Sequence, residues 1–198
     1  MSVLYSIEEI KRPGLLILDP TVVENIVIPS LLEYCPTVIV TQQALPYFYN
    51  KNITINALCL FDIITEKVDS RLSYQKNYEV YFTESNSVIH DSRKFLEKQG
   101  VSGLDIIGRI TPLLKEAINN DLRDIDTTVY FGNAKYHYVR EGYFCKWTNP
   151  GHGFFTEADI MVKTYGLRNL DQNHFKSEKE GKIYVEANEA FWLGEIIL

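Results

Sequence analysis

Hydrophobic and polar positions along this chain fall into two regimes. In the first half, short continuous apolar runs alternate with stretches whose apolar positions recur every third or fourth residue. Gly14-Leu15-Leu16-Ile17-Leu18-Asp19 is such a run, closed by an acid, and Pro20 opens the helical stretch after it; Cys59-Leu60-Phe61-Asp62 repeats the arrangement. A short apolar run without alternation is what a parallel strand covered on both faces requires. On this basis strands are predicted at 14–18, 37–41, 57–64, 78–83 and 104–107. Between the first two, Val22, Val23, Ile26, Val27, Leu31 and Leu32 form a helical stripe that Pro29 should kink or split. Residues 42–50 read as a short helix broken at Pro46, and 86–99 as a helix stopped by Gly100. Thr111-Pro112 is the clearest helix start, a threonine cap followed by proline at the first helical position, and the helix should run to about Asp124. Strands alternating with helices predict a doubly wound, mostly parallel sheet of four or five strands.

After residue 126 the pattern changes to short aromatic runs: 127–131, 136–139, 143–147 and 154–155, separated by Gly132-Asn133, Glu141-Gly142 and the turn at 149–153. Residues 160–165 and 182–186 continue the series, while 166–181 is polar and reads as a loop. Turn residues at this spacing predict an antiparallel meander. The chain is therefore read as α/β over 1–125 and antiparallel, aromatic-rich β over 126–198, the two parts sharing one core.

Composition adds limits. With 198 residues the chain can bury a real core without covalent staples. A net charge of −6 argues against general nucleic-acid binding, which needs a cationic surface, and favours a basic protein partner. Three cysteines, Cys35, Cys59 and Cys145, form no CxxC and cannot all pair, which suits a reducing compartment. No signal-peptide pattern opens the chain and no apolar run reaches membrane-spanning length, so a cytoplasmic location is expected.

The candidate chemistry lies at the strand ends. Asp19 and Asp62, with Asp105 as a third acid, could hold Mg²⁺, which prefers hard oxygen ligands, and support phosphoryl transfer or nuclease chemistry. The competing reading is that Asp19 caps the helix that follows it. No glycine follows Asp19, so a phosphate-cradling loop is missing there. Cys145 and His152 with Glu157 or Asp159 could form an oriented nucleophilic pair, or Cys145, His152 and His174 with Asp159 could bind zinc, although that spacing matches no standard signature. Tyr143, Trp147, His152, Phe154 and Phe155 surround a Gly/Pro-rich turn and could anchor a protein partner, or could close the core.

Several segments resemble known families. Leu16-Ile-Leu-Asp-Pro-Thr-Val-Val resembles the first strand of PIN-domain nucleases, in which the leading acid, here Asp19, would be a metal ligand; Gln42-Gln43 stand where that family has its second acid. Asp124-Ile-Asp126 looks like the DxD of nucleotide-sugar transferases. Glu157, Asp159, Lys163 and Glu186 resemble the scattered acids and lysine of restriction-type nucleases. The order of 14–19, 37–40, Leu45-Pro46, 57–61 and 80–85 looks like the N-terminal domain of SM proteins, which implies a SNARE-binding trafficking module. Lacking a cofactor motif, the sequence reads first as a non-catalytic protein-binding module of inhibitor, immunity-type or viral-antagonist kind, with no cofactor. The alternatives are a Mg²⁺-dependent phosphoryl-transfer or nuclease enzyme using Asp19 and Asp62, and an SM-like SNARE-binding trafficking module.

Overall fold

The computed structural model describes residues 12–35, 37–49, 51, 53–61, 75, 77–83, 87–157 and 160–197. Six parallel strands form one half of a large sheet: β1 (Gly14–Ile17), β2 (Thr37–Thr41), β3 (Ala57–Leu60), β4 (Glu79–Phe82), β5 (Gly103–Ile107) and β6 (Asp126–Phe131). Every residue of β1 is buried, as its unbroken apolar run demands. The odd and even positions part to two cores. Leu15 and Ile17 pack with Ile28 and Leu31 of α1 (Val27–Tyr34) and with Leu45 and Phe48 of α2 (Leu45–Phe48). Leu16 packs on the other face with Phe95 and Leu96 of α3 (Val88–Lys98) and Leu114 and Ile118 of α4 (Pro112–Asp121).

The helix signals in the sequence act only in part as expected: Pro46, expected to break a helix, sits in the first turn of α2, where its missing N–H costs nothing. Pro29 does not kink a long helix; the stripe over 21–34 divides into a 3-10 turn at Pro20–Val22 and the short α1. Gly100 takes φ 66° just past α3, a backbone conformation that suits glycine. Thr111 Oγ1 accepts from Leu114 N at 3.1 Å, satisfying one otherwise orphaned donor. Thr111→Ala is expected to cost about 1 kcal/mol, measured as a shift in the urea midpoint, with Thr111→Ser recovering most of it.

The second half extends the same sheet. β6 turns at Gly132 into β7 (Ala134–Val139), and β14 (Phe191–Ile196), β9 (Gly153–Thr156), β12 (His174–Ser177) and β11 (Leu167–Asn169) follow, all antiparallel. The order across eleven strands is β11-β12-β9-β14-β7-β6-β5-β1-β2-β3-β4. A separate three-stranded sheet, β10 (Lys163–Tyr165), β13 (Gly181–Glu186) and β8 (Tyr143–Thr148), covers one face of the antiparallel half. Phe154, Phe175, Ile183, Val185, Phe191 and Leu193 fill the space between them.

The fold is thus mixed α/β, with a parallel half flanked by helices and an antiparallel aromatic-rich part. Residues 14–18, 37–41, 57–61 and 78–83 contribute strands to one parallel sheet, as predicted. The loop expected over 166–181 instead carries β11 and β12: an edge ribbon with one wet face is polar at every second position, and Leu167, Phe175 and Ser177 turn inward. No described helix is long and apolar enough to cross a membrane.

Candidate active site

In an open α/β sheet, ligands bind beyond the carboxyl ends of the parallel strands. Here that edge opens into a cleft of about 610 Å³. Leu18, Phe61, Val88, Ile89 and Leu114 supply its apolar walls, at the ends of β1 and β3 and on α3 and α4. Thr41 and Gln43 enter from the end of β2; Arg109 and Thr111 come from the β5–α4 connection; Glu116, Asn120 and Asp121 come from α4.

The rim is tied together by polar contacts that the apolar runs alone do not announce. Thr41 Oγ1 donates to the carbonyls of Ile17 and Leu18 at 3.3 and 3.0 Å, joining β2 to β1. Gln42 Oε1 accepts from Phe61 N at 3.2 Å, joining β2 to the end of β3. Gly108 lets the end of β5 lie against Leu18, where an added Cβ would come within 2.9 Å of that side chain. An apolar cleft with a few converging polar groups is the usual form of a small-molecule site. Arg109 is the only Lys or Arg among the described lining residues.

The proposed acid cluster does not assemble among the described residues. Asp19 spends one carboxylate oxygen on Thr21, accepting from its backbone N at 2.9 Å and from its hydroxyl at 2.6 Å. That is the capping role expected as the competing reading. Asp62 lies outside the described residues. Asp105 points to the opposite face of the sheet, where Cys35 Sγ donates to it at 3.7 Å. Burial raises the Asp105 carboxyl to about 6, against the opposing pull of the Cys35 hydrogen bond and the Lys135 charge. Burial, reinforced by Asp105, pushes the Cys35 thiol up to about 12, which rules it out as a thiolate nucleophile at neutral pH. No three His, Cys, Asp or Glu side chains among the described residues converge as metal ligands.

The residues around the 149–153 turn also separate. Tyr143 and Trp147 are 50% and 60% exposed on the outer face of the three-stranded sheet. Phe154 is a core residue, and the half-buried Phe155 lies beside Gly194 of β14, its pairing partner. His174 pairs with Asp171, and Glu157 pairs with Lys115. All three cysteines are free thiols, and Cys145 stands apart from His152 on the outer sheet face.

What the sequence reading missed is a charged seam between the sheets. Strand register puts Ile107, Tyr130, Lys135, Glu195 and Phe154 in one row across the large sheet. Glu195 is 1% exposed. Its Oε1 accepts from Lys146 Nζ at 2.5 Å and lies 2.7 Å from His152 Nε2, while Oε2 meets His137 Nε2 at 3.0 Å and Lys135 Nζ at 3.3 Å. Burial alone would raise its pKa; the hydrogen bonds from His137 and Lys146 and the two lysine charges outweigh that and hold it well below the usual carboxylate range. Burial lowers the pKa of Lys135 and of His137, with Glu195 opposing the shift in both. A lone acid at an inward position of an otherwise apolar strand, as in Phe-Trp-Leu-Gly-Glu-Ile, was the available signal.

No protein-family model matches the chain, and no curated protein sequence matches it. The structure, however, is similar to solved structures over nearly its whole length. Thiamin pyrophosphokinase from Candida albicans superposes with a TM-score of 0.63 at 11% identity, covering 94% of this chain and 90% of that one. Thiamine pyrophosphokinase from Bacillus subtilis gives 0.60 at 10% identity, covering 93% and 98%. The yeast enzyme gives 0.61 at 11% identity, covering 96% and 87%. These matches correct the first functional reading: the chain carries the fold of these enzymes over 93–96% of its length, and the reading as a non-catalytic inhibitor, immunity-type or antagonist module is overturned. The error lay in taking a missing local motif as an argument against an enzyme. A cleft built from the ends of separate strands needs no contiguous motif.

Proposed function

We propose that this protein transfers a phosphoryl or diphosphoryl group from a nucleoside triphosphate to a small hydroxylated acceptor, with thiamin as the first acceptor to test. The observation that carries the reading is the cleft at the carboxyl edge of the parallel strands, in a fold matched along its length by thiamin pyrophosphokinases. The cleft suits such a pair of substrates. Leu18, Phe61 and Leu114 offer an apolar bed for a ring, and Arg109 offers one cation for a phosphate chain. The reaction would form a bond between the acceptor oxygen and phosphorus, break the donor's phosphoanhydride bond and release the hydroxyl proton. Mg²⁺ would arrive with the nucleotide as part of the substrate, as it commonly does with phosphates.

The test is chromatography of nucleotide products after incubation with magnesium ATP, with and without thiamin. Thiamin-dependent AMP identifies diphosphoryl transfer and thiamin-dependent ADP identifies phosphoryl transfer. Arg109→Ala should lower kcat/KM for the nucleotide by about tenfold, the loss of one charged hydrogen bond. If neither product forms and calorimetry detects neither thiamin nor a non-hydrolysable nucleotide binding, the proposal is wrong.

A further inference from the structure

The edge of the large sheet opposite the cleft carries a second hollow, of about 360 Å³. It lies where β6 begins, β7 ends and β8 begins, and Thr128, His137 and Phe144 line it. Strand register sets Thr128 and His137 directly opposite each other. Glu195 lies two positions along β14 from Leu193, the other partner of His137, and so shares its face. The three polar side chains are linked in series. Glu195 Oε2 lies 3.0 Å from His137 Nε2, and His137 Nδ1 lies 3.4 Å from Thr128 Oγ1. The imidazole also rests on the Phe144 ring, with centroids 5.2 Å apart, which fixes its orientation from a third side. Thr128 is half-buried and His137 is 21% exposed, so a small molecule in the hollow can reach both.

The acid decides which atom donates at each step. Glu195 is held ionised by its lysines, Lys146 on β8 and Lys135 on β7, and an ionised carboxylate only accepts. Nε2 of His137 must therefore carry the hydrogen. Burial and the two lysine charges oppose a second proton on the ring and outweigh the pull of Glu195, which His152 shares. Nδ1 is left with a bare lone pair, and the Thr128 hydroxyl on β6 is the donor that faces it. An acid orienting an imidazole whose other nitrogen meets a hydroxyl is the arrangement that activates a nucleophile. Hydrogen bonds of this kind are often long before substrate binds and tighten in the complex. We propose that Thr128 is a nucleophile with His137 as its base and Glu195 as the positioning residue, and that the hollow takes a small uncharged ester. The wall selects the charge. Asp126 and Glu141 stand exposed at the rim, while Arg140 is spent on the carbonyls of Leu122 and Ile125, so an anionic ester would meet two acids. In the reaction the Thr128 oxygen bonds to the ester carbonyl carbon and its proton passes to His137 Nδ1. The bond from that carbon to the alcohol oxygen breaks, and the alcohol leaves with the proton. Water then attacks the acyl carbon, giving its proton to the same nitrogen. The carboxylic acid departs and the proton returns to Thr128 Oγ1.

The test uses p-nitrophenyl acetate on the full chain, an uncharged ester whose alcohol leaves readily. Peptide mass spectrometry should find an acetyl group on Thr128, and absorbance should follow the release of p-nitrophenolate. Thr128→Val keeps nearly the same shape without the hydroxyl and should slow release by about a hundredfold. Thr128→Ser keeps the hydroxyl and should retain both release and the label. His137→Gln leaves the Thr128 hydroxyl in place and should slow its acetylation by about a hundredfold. Thermal melting reports whether each variant folds. Should Thr128→Val be unstable, the site of the label in the wild type and its dependence on His137 decide the question. The positioning role of Glu195 has its own readout: nitrogen–proton NMR correlation spectra at neutral pH should show His137 as a neutral ring with its hydrogen on Nε2. An imidazolium, or a ring protonated on Nδ1, overturns the proposal. So does a wild type with no acetyl group on Thr128, a label undiminished in His137→Gln, or a p-nitrophenyl ester bearing a carboxylate that reacts as fast as the uncharged one. None of these readings depends on whether the cleft transfers phosphate.

Discussion

Glu195→Gln is expected to lower folding stability by about 3 kcal/mol, seen as an earlier urea midpoint with an unchanged slope. The carboxylate is the shared acceptor for Lys135 and His137 on β7, Lys146 on β8 and His152 in the turn before β9. Glutamine keeps the shape, removes the charge and points amide hydrogens at groups that are themselves donors. Lys135 and Lys146 would then face each other without an anion. Stranding a buried charge costs about 3–5 kcal/mol; the low end applies because the lysine side chains are 24% and 33% exposed and can turn toward water. The folded pKa of Glu195 lies below its unfolded value of about 4.3. Its contribution is therefore complete at neutral pH and is lost as pH falls below about 4.3 toward the folded pKa. The gap between wild type and variant should narrow in that acid range. A loss under about 1 kcal/mol at pH 7 would show that the seam does not hold the sheets together.

Asp105→Asn is expected to act in the opposite direction, adding about 2 kcal/mol above neutral pH. The folded protein holds the Asp105 carboxyl at about 6, because burial among apolar residues penalises its charge more than Cys35 and Lys135 relieve it. The unfolded chain titrates near 3.9. Folding therefore favours the protonated form, and the stability present below the unfolded pKa is lost as pH rises through about 6. A shift of this size amounts to about 3 kcal/mol, reduced to about 2 by the partial exposure of the side chain. Asparagine is neutral throughout and still accepts from Cys35. Urea titrations in acid and in mild alkali should show equal stability in the first and a gain for the variant in the second. Equal stability in both would mean that Asp105 is solvated well enough to ionise freely.

Both residues show where legibility stopped. Asp105 was visible as an acid after an apolar residue and was grouped with Asp19 and Asp62 because all three sit at or near strand ends. Period-two alternation sends it to the face away from the cleft, paired in register with Leu15 and Thr128. Glu195 drew no attention because its partners are distant in sequence: Lys135, Lys146 and His152 lie 60, 49 and 43 positions away. Phe154 and Trp147 were read as one aromatic turn, yet the structure puts the first in the core and the second on the outer sheet face. Strands β11 and β12 were hidden for the related reason that a one-sided edge ribbon resembles a loop in composition.

What the sequence by itself determined is local. Unbroken apolar runs specified buried parallel strands; Thr111-Pro112 and Gly100 specified a helix start and a helix end; Gly132-Asn133 specified the hairpin turn between β6 and β7, whereas the turn at Glu141-Gly142 leads into the separate sheet and not into the next strand of a meander. These follow from backbone sterics, capping and periodicity, which act over a few residues. Tertiary structure alone decided which acids meet which bases, how the parallel and antiparallel parts join into eleven strands, and where the cleft opens. Each of these depends on strand order and register. A shift of one residue would turn Glu195 and Asp105 to the other face without altering any local signal.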